Sequence, residues 1–317
     1  MDPFTASAAQ ADLAHYVGFG VKASGGAGDR ETGAWLEAEL RALGFAIERQ
    51  SFEAPWFEPS IAEIAVDGRA TPVIPQAVVV PTPPGGLSGP LVLADAGDPA
   101  RLEGAIAIVS LPHARWSSLV SPVPRQKAKA AFDAGAAAVV LVTHGPTGEA
   151  LALNAPADGP MFPRPAAVLA PRAAAPFLAA AARGQAGRLT VTGSGGRREA
   201  YNIVARLDRG RGRWLVVSTP RSGWFGCAGE RGPGVAIWLM LARWAARADL
   251  PVDIAFVCNS GHEYENLGAA RLLHDAAPKP EQTVFWLHLG ANAAARDWHD
   301  LGGQMAPLPS ADPQRYL

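Results

Sequence analysis

Three apolar runs in the second half of this chain end in residues that could do chemistry. Val252–Cys258 is followed by Asn259, Ser260, Gly261, His262 and Glu263. Trp214–Ser218 is followed by Thr219, Pro220, Arg221 and Ser222, with Trp224 just beyond. Thr283–Leu287 is followed by His288, Leu289 and Gly290. Between the first two runs in chain order lies Ala228-Gly229-Glu230-Arg231-Gly232-Pro233-Gly234, leading into a helical pattern. A histidine titrates near neutral pH, so His262 is a candidate general base, or equally a strand-end histidine bonding a neighbouring backbone. Glu263 beside it is expected to raise its imidazolium fraction by charge attraction. Glu263 itself reads either as a metal ligand or as an acid favoured at a helix N-terminus. His288 reads as a ligand or as a satisfied core histidine. Arg221, Ser222 and Trp224 are placed to line a substrate cleft. Cys227 and His262 could form a nucleophilic pair, although no third group that would orient the histidine is evident. Asp297-Trp298-His299-Asp300 is a dense polar cluster, read as a solvated loop.

The elements that must position these residues are legible from periodicity. A helix is expected near Glu31–Leu43, with Asp29 as N-cap and Gly44 as C-cap. Phe45–Phe52 alternates as a strand. The following prolines, from Pro55 to Pro84, disfavour helices and central strands, so they read as a domain boundary with edge strands. Leu91–Ala94, Ala105–Ser110 and Ala137–Thr143 are apolar strands, with helices at Gln126–Ala134 and Pro176–Ala182. Arg188–Thr192 closes this series, and Gly193–Gly196 reads as a flexible exit. The strands then restart with Tyr201–Leu207, and helices are expected at Gly234–Ala246 and Leu267–His274. Strand–helix alternation of this kind implies a mainly parallel sheet covered on both faces, with its site at the C-terminal strand ends. The expected division is residues 6–55, an insertion at 56–195, and 196–317.

Composition narrows the partners. With 28 basic and 29 acidic side chains the net charge is −1, so no charge excess favours nucleic acid or an anionic membrane. No apolar run approaches the roughly 20 residues of a membrane helix. Two cysteines cannot frame a disulfide scaffold in 317 residues; Cys227 and Cys258 read as two free buried thiols, with one disulfide between them as the alternative. The opening Met-Asp-Pro-Phe-Thr has the character of an expression-vector remnant, so compartment is not readable there. Oligomeric state is likewise unreadable.

The order of the strand-end motifs resembles the zinc-dependent aminopeptidase family that includes glutamate carboxypeptidase-like and glutaminyl cyclase-like members. The resemblance rests on the three strand ends, the loop at Gly229–Gly234, and Asn266-Leu267-Gly268-Ala269. Gly104-Ala105-Ile106-Ala107-Ile108-Val109, Lys127–Ala134 and Gly135–Val140 resemble a protease-associated domain. The resemblance implies a three-layer, mainly parallel α/β zinc-exopeptidase fold with a protease-associated insertion. It implies a hydrolase of amide or peptide bonds, with a peptide or small amide as ligand.

Laid over the family's pattern, the zinc-binding His falls on Pro220 and its Asp on Ser222. The bridging Asp falls on Gly229, the general base on His262, and a later Asp ligand on His288. Glu263 keeps its type. The last His ligand is expected beyond Leu317. A catalytic zinc needs three protein ligands and an open position, and paired zincs need a bridging carboxylate. No dinuclear centre is therefore expected, and no cofactor is assigned. One weak zinc site from Glu230, Glu263 and His288 is the remaining possibility. Three functions follow: a hydrolase with a remodelled or impaired site around these residues, a non-catalytic peptide- or partner-binding descendant, and a metal-independent enzyme using His262 as acid/base.

Overall fold

The computed structural model describes residues 4–95, 98–114, 116–145, 147–290, 296–300 and 304–309. In chain order, helices α1 (Ala6–Gly18) and α2 (Ala27–Ala42) precede strands β1 (Ala46–Val66), β2 (Arg69–Pro72), β3 (Ile74–Pro75), β4 (Leu87–Leu93) and β5 (Ile106–Ser110). Then come α3 (Pro122–Asp133), β6 (Ala138–Val142), β7 (Ala166–Leu169), α4 (Pro171–Ala182) and β8 (Ala186–Leu207). The chain ends with β9 (Trp214–Pro220), α5 (Gly232–Ala245), β10 (Asp253–Asn259), α6 (Leu267–Asp275), β11 (Thr283–His288), β12 (Arg296–Asp300) and β13 (Met305–Pro309). Among the described residues no helix is long and apolar enough to cross a membrane.

The chain forms two compact units, Met1–Ala54 with Arg198–Leu317, and Pro55–Arg197. In the first, β11, β9 and β10 run parallel, and β10 pairs antiparallel with β8 in the register Cys258↔Ile203. Alternate residues of these strands enter different cores, as the two-residue period of a strand dictates. Ile203, Ala205, Val217, Ile254 and Phe256 pack with Tyr16, Leu36, Leu40 and Trp238 of α1, α2 and α5. Val204, Val216, Ala255 and Val257 pack with Leu272 of α6. Helices thus cover both faces, which is why Ile254–Cys258 is apolar without alternation.

In the second unit, β4, β5, β6 and β7 are parallel neighbours, with β8 antiparallel beside β4 and β3 antiparallel beside β7. Its α3 and α4 also lie on opposite faces. Phe132 of α3 packs in one core with Val139 and Leu141, and Phe177 of α4 in the other with Val140 and Val142.

Several elements differ from the sequence reading. Asp29 is not the N-cap of α2. Gly26 is, and Asp29 lies inside the first turn, its carboxylate accepting the Gly25 N–H at 2.9 Å. β1 runs through Pro55 and Pro59 instead of ending before them. Gly193–Gly196 is not an exit loop but the middle of the 22-residue strand β8. A Cβ on Gly193 would meet the Glu58 carbonyl at 2.2 Å, so glycine there permits close strand approach. Pro176, placed at a helix start, sits inside α4. Asp297–Asp300, read as loop, belongs to β12, which pairs with β13.

Candidate functional site

The strand ends of the first unit hold a dense polar cluster, and its geometry follows from local backbone chemistry. Gly261 turns the chain out of β10 at φ +80°, where a Cβ would meet the Gly268 nitrogen at 2.9 Å. Only glycine fits that turn comfortably, and it delivers His262 and Glu263 beside the end of β9. The Gly261 N–H donates to Ser24 Oγ at 2.8 Å. Glu263 is 1% exposed, with Oε1 accepting the Ser24 N–H at 2.6 Å and Oε2 the Ser222 hydroxyl at 2.8 Å. The same Ser222 Oγ accepts the His262 N–H at 3.2 Å. Burial raises the Glu263 pKa, opposed by these hydrogen bonds. Both carboxylate oxygens are therefore engaged in joining three chain segments.

His262 is half-buried, and its Nδ1 lies 2.7 Å from Arg231 Nη2. An arginine nitrogen only donates, so Nδ1 accepts and the neutral ring carries its proton on Nε2. Burial lowers the His262 pKa to about 4, helped by the charges of Arg231 and His288. This reverses the expected effect of Glu263: the imidazolium is disfavoured, because desolvation and a guanidinium outweigh a carboxylate already tied to Ser24 and Ser222. The ring presents a donor where a general base would present a lone pair.

Arg231 is the residue the sequence reading passed over. It caps α5 and is 2% exposed. Its Nε donates to the Ser222 carbonyl at 3.1 Å, and Nη2 lies 2.9 Å from Glu230 Oε1 as well as bonding His262. A cation two positions after Gly229, the position matched to a bridging aspartate, was the available signal. His288, exposed at the end of β11, bonds Ser218 Oγ through Nδ1 at 2.8 Å, and Trp286 Nε1 donates to the same oxygen at 2.7 Å. Partial desolvation and Arg231 lower its pKa.

Arg221 and Ser222, expected to line a cleft, are both fully buried. Arg221 Nε lies 2.9 Å from Asp29 Oδ1, with both side chains at 0% exposure. That contact is an ion pair outside hydrogen-bond alignment, since Oδ1 has no hydrogen-bond partner. Nη1 and Nη2 donate to the carbonyls of Cys258 and Tyr201 at 3.0 and 2.7 Å. Asp29 Oδ2 accepts from Ser260 Oγ at 2.8 Å. A guanidinium has five donors, so it can bind together segments that no apolar residue could satisfy. Trp224 is half-buried and meets Tyr264 edge-on, with ring centroids 5.6 Å apart.

Both cysteines are free and buried. Burial pushes the Cys227 thiol up to about 11, and it donates to the Phe225 carbonyl at 3.3 Å. A thiol held protonated, with His262 Nδ1 already bonded to Arg231, is not a nucleophilic pair. Lys22 is fully buried over the Tyr16 ring, 4.4 Å from its centroid, and burial lowers its pKa.

Zinc does not fit these residues. The Pro220 side chain has no ligating atom, Gly229 has no side chain, and Glu263 has both oxygens occupied. Glu230 pairs with Arg231, and His288 Nδ1 with Ser218, so Glu230, Glu263 and His288 are not gathered as one ligand set. Among the described residues no three His, Cys, Asp or Glu side chains come together to hold a metal. The Arg231 guanidinium at this centre would also repel a second cation.

The chain has an α/β architecture with a mainly parallel sheet in its first unit, and residues 87–175 match the family model of the PA domain. Among curated proteins no sequence match is found. Among solved structures the chain is similar to BSAP, a zinc aminopeptidase from Bacillus subtilis, at 19% identity and TM-score 0.74, covering 96% of this chain and 75% of that one. It is similar to the peptidase M28 precursor from Shewanella amazonensis SB2B at 18% identity and TM-score 0.70, covering 92% and 75%. The aminopeptidase from Aneurinibacillus sp. strain AM-1 matches at 15% identity and TM-score 0.66, covering 95% and 74%. At such identities the likeness establishes the fold, and the residues at the strand ends must speak for the chemistry.

Proposed function

We propose that this chain is an aminopeptidase-like protein that binds a peptide or small amide at the ends of β9, β10 and β11 without zinc hydrolysis. One observation carries the reading: Arg231 donates to His262 Nδ1, so the neutral imidazole keeps its proton on Nε2. The corresponding position then offers no imidazole lone pair to activate water, and the residues around it do not suit a polarising metal. Ser24 and Ser222 hold Glu263 as a structural acceptor. The fold likeness to zinc aminopeptidases supports a second reading, a weak amide hydrolase with a remodelled site. That reading requires His262 to leave Arg231. Even then, unaided acid–base catalysis contributes only about 10²–10⁴-fold, small against the acceleration expected of a peptidase.

Two measurements test the proposal. Elemental analysis after zinc loading and dialysis is expected to give less than one equivalent per chain. Amino-acid amides are expected to show no turnover with or without added zinc. Two tightly held zinc equivalents accompanied by turnover would overturn the proposal. Zinc-independent turnover that disappears in His262→Ala would establish the second reading instead.

A further inference from the structure

In the second unit, β8 changes partners along one edge. β4 covers that edge as far as Leu189, with the Leu91 N–H donating to the Gln185 carbonyl at 2.8 Å. Val191, next in phase, is met by Thr82 of the loop between β3 and β4. The Thr82 N–H donates to the Val191 carbonyl at 2.9 Å, and Thr82 Oγ1 accepts the Val191 N–H at 3.0 Å. Pro81 has no N–H with which to continue the ladder. Beside it opens a groove of about 820 Å³, lined by Pro81 and Pro84 of that loop, Gly193 and Ser194 of β8, and Glu58 and Ser60 of β1. The period of two in strand hydrogen bonding turns the Gly193 N–H and C=O to the edge that Val191 presents. Gly193 and Ser194 carry little side chain, so their backbone is open to a neighbouring strand.

We propose that this groove takes an extended peptide segment carrying a lysine or arginine, which adds to the β8 edge at Gly193 as a further strand. Thr82 already makes the pairing that such a segment would continue past Pro81. Main-chain hydrogen bonds to the edge supply affinity, and the groove walls supply selectivity. Among the described lining residues Glu58 is the one charge, and it is exposed. A cationic side chain is therefore favoured over an anionic one. Proline rings are rigid, so walls built on Pro81 and Pro84 lose little freedom when a ligand packs against them. The groove lies wholly in the second unit, so its ligand is independent of the one proposed at the strand ends of the first.

The test titrates the intact, isotope-labelled chain with the peptide acetyl-Thr-Val-Lys-Val-Thr-amide and follows backbone amides by NMR. Both peptide ends are blocked, so no free terminus competes for the strand ends of the first unit. Shifts are expected at Gly193 and Thr82. The same peptide with glutamate in place of lysine is expected to bind about threefold or more weakly at low salt, the size of an exposed charge interaction. Glu58→Gln is expected to erase that preference. Two further peptides are N-methylated, one at both valines and the other at both threonines. Alternate N–H groups of an added strand face its partner, so one of the two should lose at least about tenfold in affinity and the other about twofold or less. This comparison leaves the protein unchanged and holds even if Glu58→Gln disturbs the fold. Equal losses from both methylations, a lysine preference that survives in a folded Glu58→Gln, or no shift at Gly193 with any peptide would each overturn the site and leave the strand-end reading untouched.

Discussion

Arg221 offers the sharpest test of how this site is built, because sequence reasoning and structure give it opposite surroundings. At a cleft wall, Arg221→Met would alter ligand affinity and leave stability within about 0.5 kcal/mol, as surface substitutions do. In the structure it is fully buried against Asp29 at 2.9 Å. Removing it strands a buried carboxylate whose remaining partners are the Gly25 N–H and the Ser260 hydroxyl. It also takes the donors from the carbonyls of Cys258 and Tyr201. Breaking a buried pair by deleting one partner costs about 3–5 kcal/mol. The expected result is a loss of that size, and Asp29→Asn, which leaves the buried Arg221 guanidinium without its counter-charge, should destabilise as well. The double variant should cost less than the sum of the singles by about 0.5–3 kcal/mol. Urea unfolding followed by tryptophan fluorescence reads this through Trp238, which packs in the same core as Tyr201 and Cys258. The chain has two compact units, so the transition must be resolved for each before a free energy is assigned. Arg221→Met within about 1 kcal/mol of the parent protein, or strict additivity with Asp29→Asn, would refute the reasoning.

Two further outcomes follow from the same geometry. The folded-state pKa of His262, about 4, lies below the ordinary value, so the unfolded chain binds the extra proton first. This group's contribution to stability is full above about pH 6.5 and is lost as pH falls toward 4. Histidine NMR should show one ring titrating near 4 with Nδ1 unprotonated at neutral pH; a midpoint above 6 would discard the Arg231 contact. At the glycines, Gly193→Ala should lower the melting temperature, since its Cβ would overlap the Glu58 carbonyl. Gly229→Ala, with nothing within 4 Å, should change stability by no more than about 0.5 kcal/mol, and a reversed order would count against the placement of β8.

The periodic features were legible in the sequence because they are local. The apolar run Val252–Cys258 became β10, the helical spacing through Trp238 became α5, and Ala137–Thr143 became β6. Their alternation, buried on both faces, implied the parallel sheet before any coordinate was known. Other features depended on partners distant in the chain. Gly193–Gly196 looks like a loop until β1 approaches at Glu58, and Pro55 and Pro59 look like strand breakers until β1 continues through them. The site divided in the same way. His262, Glu263 and His288 could be picked out by type and position after apolar runs, and mapping Pro220 and Gly229 onto metal positions needed only order. The role of each side chain was decided by tertiary contacts: Arg231 sets the His262 tautomer from 31 positions away, and Ser24 claims Glu263 across 239. A side chain's type fixes which protons it can give or take, but its protonation state and direction depend on burial and partners, and folding alone brings those together.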